Sequence, residues 1–159
     1  MKFLLVRSIV VFAAVITVVY PQLSSATERL ICVDVVSGDD GGSGTAAKPV
    51  KSLARAAALV GADNSADAIT VRLAPGIYDL PQTVIFKRKK DFAPGKRLTI
   101  TAQYLPGDPK WRPALMPTII STQTPMFSER MGGKTETYSF KIRISFVTVS
   151  GLRFLGNPS

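Results

Sequence analysis

The chain has 159 residues, enough for one domain, with 20 Lys and Arg against 11 Asp and Glu, one Cys and no His. Without His it cannot build a Ser-His-Asp or Cys-His catalytic set or the common His-containing zinc sites, and one Cys excludes an intrachain disulfide. The net charge of +9 speaks to association with anionic partners, not to a mechanism.

Residues 1–26 have the three parts of a secretory signal peptide. Lys2 and Arg7 are basic, residues 9–20 are apolar except for Thr17, and Ser24 and Ala26 are small residues at a cleavage-like site. The apolar run is short for a membrane span of about 20 residues, and an uncleaved anchor is the competing reading. Cleavage after Ala26 predicts a secreted, periplasmic or extracellular domain over 27–159, with no membrane contact. That domain holds 18 basic and 11 acidic residues, a net +7. Export argues against nucleic acid as a partner. Acidic polysaccharide or an anionic cell surface matches the charge, although a basic surface also serves solubility.

The first predicted strand is "LICVDVV" at 30–36, where Cys32 reads as a small hydrophobe. A Gly- and Asp-rich loop follows, then a predicted helix over 51–60. Leu53, Ala56, Ala57 and Val60 share one helical face. Ser52 is placed as N-cap and Gly61 as a C-terminal stop. "GSGTAA" at 42–47 matches G-x-G-x-x-A. The Pro49 that follows and the absence of alternating helices argue against a nucleotide site. Asp34, Asp39 and Asp40 suggest calcium, but the regular spacing and closing Glu of an EF-hand loop are missing. A solvated turn is the simpler reading.

Short strands dominate the remainder. Ile69, Val71 and Leu73 alternate with Thr70 and Arg72, and Leu98, Ile100 and Ala102 alternate with Thr99 and Thr101. Tyr138, Phe140, Ile142 and Ile144 form a third such series, and Val147 and Val149 lead into Leu152 and Phe154. Period-2 alternation marks strands with one buried face. "TVIF" at 83–86 and "PTII" at 117–120 are shorter runs of the same kind. From Ile69 to Leu98 is a step of 29 residues, and from Leu98 to Val147 a step of 49. The second step would hold two coils of about 25, within the range of repeat architectures.

In this order the motifs resemble the start of a right-handed parallel β-helix protein of the pectate-lyase-like superfamily. The pieces are "ICVDVVSGDDGGSGT", "AAKPVKSLARAAALV", "ITVRLAPGIYDL", "LTITA", "PTIIS" and "VTVSGLRFLGN". The resemblance implies an all-β solenoid whose short N-terminal helix caps the first coil. Because residues 147–159 stop just after a strand-turn-strand corner, it also implies a C-terminal truncation, or self-association through an uncapped last coil. It implies polysaccharide lyases and hydrolases acting on uronate polymers, with calcium as a cofactor by resemblance only. No catalytic residue or metal ligand is assigned. Lys, Arg and Tyr can serve β-elimination without His. No Asp follows Asp108, which puts a hydrolase site in doubt. The expected function is polysaccharide binding or degradation, with no complete active site in this chain. The alternative is a non-catalytic surface or adhesion β-helix that binds polyanions through basic loops.

The candidate binding residues are Lys87, Arg88, Lys89, Lys90, Lys96 and Arg97 in "FKRKKDFAPGKR", with Lys110 and Arg112 flanking Trp111. Arg matches carboxylate geometry, and Trp would stack on a sugar ring. The competing reading is a solvated insertion, as charge runs usually are, and the Pro and Gly in the run favour it.

Overall fold

The computed structural model describes residues 28–123, 126–128, 134–136 and 140–156. The signal-peptide assignment to 1–26 lies outside the described residues.

Apolar alternation decides which side of each strand turns inward. Strand β1 (Arg29–Val33) buries Ile31 and Val33, β2 (Ile69–Leu73) buries Ile69, Val71 and Leu73, and β5 (Leu98–Ala102) buries Leu98, Ile100 and Ala102. Between β2 and β5 lie β3 (Ile77–Leu80) and β4 (Val84–Lys87). A 3-10 turn at Pro113–Leu115 then leads to β6 (Thr118–Ser121), β7 (Met126–Ser128) and β8 (Lys134–Glu136). The last strands are β9 (Phe140–Arg143), β10 (Val147–Ser150) and β11 (Arg153–Leu155).

Among the described residues the strands pair in four small sheets: β1-β2-β5-β10, β11-β6-β3, β4-β9 and β7-β8. The first three are parallel and the last is antiparallel. Parallel register stacks like side chains into rows. One interior row runs Ile31, Val71, Ile100, Val149, and another runs Tyr78, Ile119, Phe154. Each row is dry until its last member: Val149 is 41 % exposed and Phe154 50 %.

The expected all-β right-handed parallel β-helix solenoid is not what forms. A solenoid repeats one unit of nearly constant length. Here the steps between paired strands are 40 (Arg29 to Ile69), 29 (Ile69 to Leu98) and 49 (Leu98 to Val147) in the first sheet. They are 41 (Ile77 to Thr118) and 35 (Thr118 to Arg153) in the second, and 56 (Val84 to Phe140) in the third. Strand β5 lies directly beside β10, so the 49-residue step is a single connection and not two coils. A helix fills the first connection where later ones carry strands. Among the described residues the fold is a mixed arrangement of small, mainly parallel sheets with one α-helix.

That helix, α1, spans Leu53–Ala62, and Leu53, Ala56, Ala57 and Val60 are its buried face, as the spacing predicts. Gly61 is inside the helix and not its stop; Asp63 is the C-cap. The Ser52 hydroxyl accepts the Arg55 N–H at 3.1 Å. Asp40 adds a second layer by accepting from Lys51 N, Ser52 N and Ser52 Oγ at 2.9, 2.8 and 2.7 Å. Two backbone and one hydroxyl donor that would otherwise face water are thereby satisfied. The helix rests on β4 and β1.

The Gly-rich loop is shaped by close approach. A Cβ on Gly38 would lie 2.4 Å from both the Asp34 and Val50 carbonyl oxygens. Gly44 has φ +80°, and its Cβ would sit 2.9 Å from Leu59 Cδ1. These contacts fold the loop onto β1 and α1, which makes it a turn that docks the helix.

Tyr78 of the "LAPGIY" step is buried, and its hydroxyl reaches the Ala74 carbonyl at 2.8 Å and the Val33 carbonyl at 3.2 Å. Burial pushes the phenol above its ordinary pKa. Tyr78→Phe is expected to cost about 1–2 kcal/mol, because a buried acceptor loses its donor while the ring still fills its space. Urea denaturation with an unchanged m-value is the check.

Candidate polyanion-binding surface

Strand β4 buries Val84 and Phe86 and presents Lys87 outward. The chain then leaves the sheet, and the four consecutive basic residues part company. Lys87, Lys89 and Lys90 are exposed. Arg88 turns inward, and its side chain is 3 % exposed. Arg88 Nη2 donates to Ser65 O at 2.6 Å, Asp63 Oδ1 at 3.3 Å and Asp63 O at 3.4 Å. Its guanidinium lies 4.0 Å from the Phe92 ring centroid, a cation–π contact within a desolvated setting. Arg88 thus pins the loop to the end of α1.

Lys96 is half-buried at a turn in which its N–H bonds Ala93 O at 2.9 Å. Arg97 is exposed, with Nη1 3.5 Å from Thr148 Oγ1. The Lys110-Trp111-Arg112 group lies on the connection that follows β5, whereas the other six candidates precede it. Arg97 precedes β5 and Gln103 follows it, so six residue steps of about 3.3 Å, roughly 20 Å, separate the two loops. Trp111 is half-buried, and its Nε1 is buried without a hydrogen-bond partner. The indole N–H edge therefore faces the protein and not a ligand. Lys110 and Arg112 are exposed on either side of it.

The structure adds a cation that the sequence pattern did not single out. Lys87 and Arg143 are register partners in the parallel pair β4-β9, and both are exposed. The two are 56 residues apart in sequence, and only the strand pairing makes them neighbours. Asp63, Ser65 and Phe92, which hold Arg88, were also missed. For Asp63 and Ser65 the one local signal is the run of small and polar residues that closes α1.

The acidic loop residues are already occupied. Asp34 accepts from Ser37 Oγ at 2.5 Å, Val36 N at 2.9 Å and Ser37 N at 3.1 Å, and the Ser37 hydroxyl leads in holding its pKa low against burial. Burial raises Asp40, but its bonds from Ser52 and Lys51 outweigh that and hold it low. The Asp39 carboxylate accepts the Gly41 N–H at 3.2 Å, and its carbonyl accepts the Gly42 N–H at 2.8 Å. Among the described residues no three His, Cys, Asp or Glu converge on a point that would hold a metal.

The chain matches no family model, no curated protein and no solved structure. The likeness to the pectate-lyase-like superfamily rests on the order of its motifs alone.

Proposed function

We propose that this chain is a non-catalytic binding module, exported from the cell, that holds acidic polysaccharide through the basic surface of β4, the β4–β5 connection and β9. The observation that carries the reading is the set Lys87, Lys89, Lys90 and Arg143. All four are exposed, and Lys87 and Arg143 are adjacent in register. Cations on one surface raise the local concentration of a polyanion and bind it in a salt-dependent way. Arg143 adds a planar donor fork suited to carboxylate or sulfate. Degradation of the same polymer, in a longer parent protein, is the second expectation from the motif order. The buried Tyr78 hydroxyl is spent on the Val33 and Ala74 carbonyls, which supports binding over proton transfer by this tyrosine.

The test is retention on an immobilised acidic polysaccharide as salt is raised. Lys87→Glu/Lys89→Glu is expected to weaken binding about tenfold or more at low salt, since each reversal replaces an attraction with a repulsion. Lys110→Glu/Arg112→Glu, on the other loop, is expected to have a smaller effect. Retention that is insensitive to salt, or unchanged in the first variant, would sink the reading.

A further inference from the structure

Asp63 serves two arginines. Its Oδ2 is 2.5 Å from Arg29 Nη1, and its Oδ1 is 3.3 Å from Arg88 Nη2. One carboxylate against two guanidiniums leaves a surplus positive charge beside a side chain that is 3 % exposed. Arg88 is also incompletely bonded: Nε and Nη1 are buried and have no partner. A buried cation normally has its donors satisfied, because each unmet donor costs desolvation free energy.

Arg88 lines a hollow of about 340 Å³ between the β4–β5 connection and the β9–β10 turn. Lys90 and Arg143 line it too, with Asp91 as the one carboxylate and Ser145 as a hydroxyl. Phe92 covers a face of the guanidinium, so an anion would meet Arg88 through its in-plane N–H groups, where the donors point. We infer that this hollow seats a single oxyanion group, carboxylate or sulfate, with Arg88 as its inner anchor and Lys90 and Arg143 as its outer clamps. The natural source of that group rests on the polyanion reading above: the hollow is where one charged group of the polymer leaves the solvent. The exposed Lys87 and Lys89 only attract the chain. Such an anion balances the surplus charge around Asp63 and gives Arg88 the bond that it lacks.

The experiment uses the 159-residue chain with inorganic sulfate and acetate as probes, at constant ionic strength against chloride. Binding is followed by the Arg88 Nε–H resonance. A saturable shift of that resonance is expected with at least one probe, and the tighter probe identifies the polymer's charged group. Lys90→Gln/Arg143→Gln is expected to weaken the probe about tenfold or more, the scale of losing charge-assisted bonds, while leaving the thermal midpoint without anion unchanged. No saturable shift with either probe, or equal affinity in the double variant, overturns the seat. Polymer retention that persists in such a case leaves the polyanion reading intact while the seat fails. Probe binding without polymer retention upholds the seat and ends the polymer reading.

Discussion

Asp63→Asn is expected to destabilise the protein by about 3 kcal/mol, the low end of the cost of breaking a buried ion pair by removing one partner. The low end applies because the Arg29 side chain is 38 % exposed, and water screens that half of the cluster. The Arg88 half is dry. Without the carboxylate, Arg88 keeps a bond to Ser65 O and the face of Phe92, neither of which carries a countercharge. Global stability is typically about 5–15 kcal/mol, so the loss is readily measured by urea denaturation. Asp63→Asn/Arg88→Met is expected to be less destabilised than the sum of its single variants, because the second change removes the charge that the first one stranded.

The same carboxylate ties stability to acid. Burial raises the pKa of Asp63, but the bonds from Ser65 and Arg29 outweigh it and hold the group below its ordinary 3.8. A pKa lower in the folded than in the unfolded chain means that the charged form stabilises the fold. That contribution is complete above the unfolded value and is lost as the pH falls through the folded one. Asp34 and Asp40 are shifted the same way. Stability should therefore fall below about pH 4, the ordinary carboxylate range, and Asp63→Asn should flatten that fall. An acid transition of identical steepness in the variant would contradict the assignment.

Phe86→Ala is the other large loss, expected at about 3–5 kcal/mol. Phe86 is among the largest fully buried side chains. Its ring lies 5.4 Å from that of Phe140, which in turn lies 5.6 Å from that of Phe154. Its removal costs the transfer free energy of a benzyl group and opens a cavity between β4 and β9 that a parallel pair cannot easily close. Phe154→Ala, at the half-exposed end of the same aromatic row, is expected to cost markedly less, because water already occupies part of its surroundings. Equal losses at the two positions would mean that the row is not open at β11.

Local geometry made much of the chain legible. The strands at Ile69–Leu73 and Leu98–Ala102, the buried face of α1 and its Ser52 cap follow from alternation, helical spacing and capping chemistry. Each of these depends on residues within a few positions of one another. Strand β3 was hidden, because its first two residues, Ile77 and Tyr78, follow directly on the turn-forming pair Pro75-Gly76. The exposed lysines at 87, 89 and 90 were likewise visible as a run of charge.

Partner choice was not legible. Alternation says that β5 has an inner face, but not that β10, 49 residues on, lies beside it. A parallel neighbour is selected by how the whole intervening chain closes, so equal apolar runs with unequal connections give separate small sheets in place of a repeated coil. The same limit governs the charges. Arg88 and Lys89 are adjacent and carry the same charge, yet a carbonyl at Ser65 and a carboxylate at Asp63 draw one inward while the other stays in water. Arg143 becomes a neighbour of Lys87 only because β9 pairs with β4. Composition by itself determined that the chain is basic and has no histidine. Tertiary structure decided which cations reach solvent and which holds the loop in place, because desolvating a guanidinium is tolerated only where distant residues supply its acceptors.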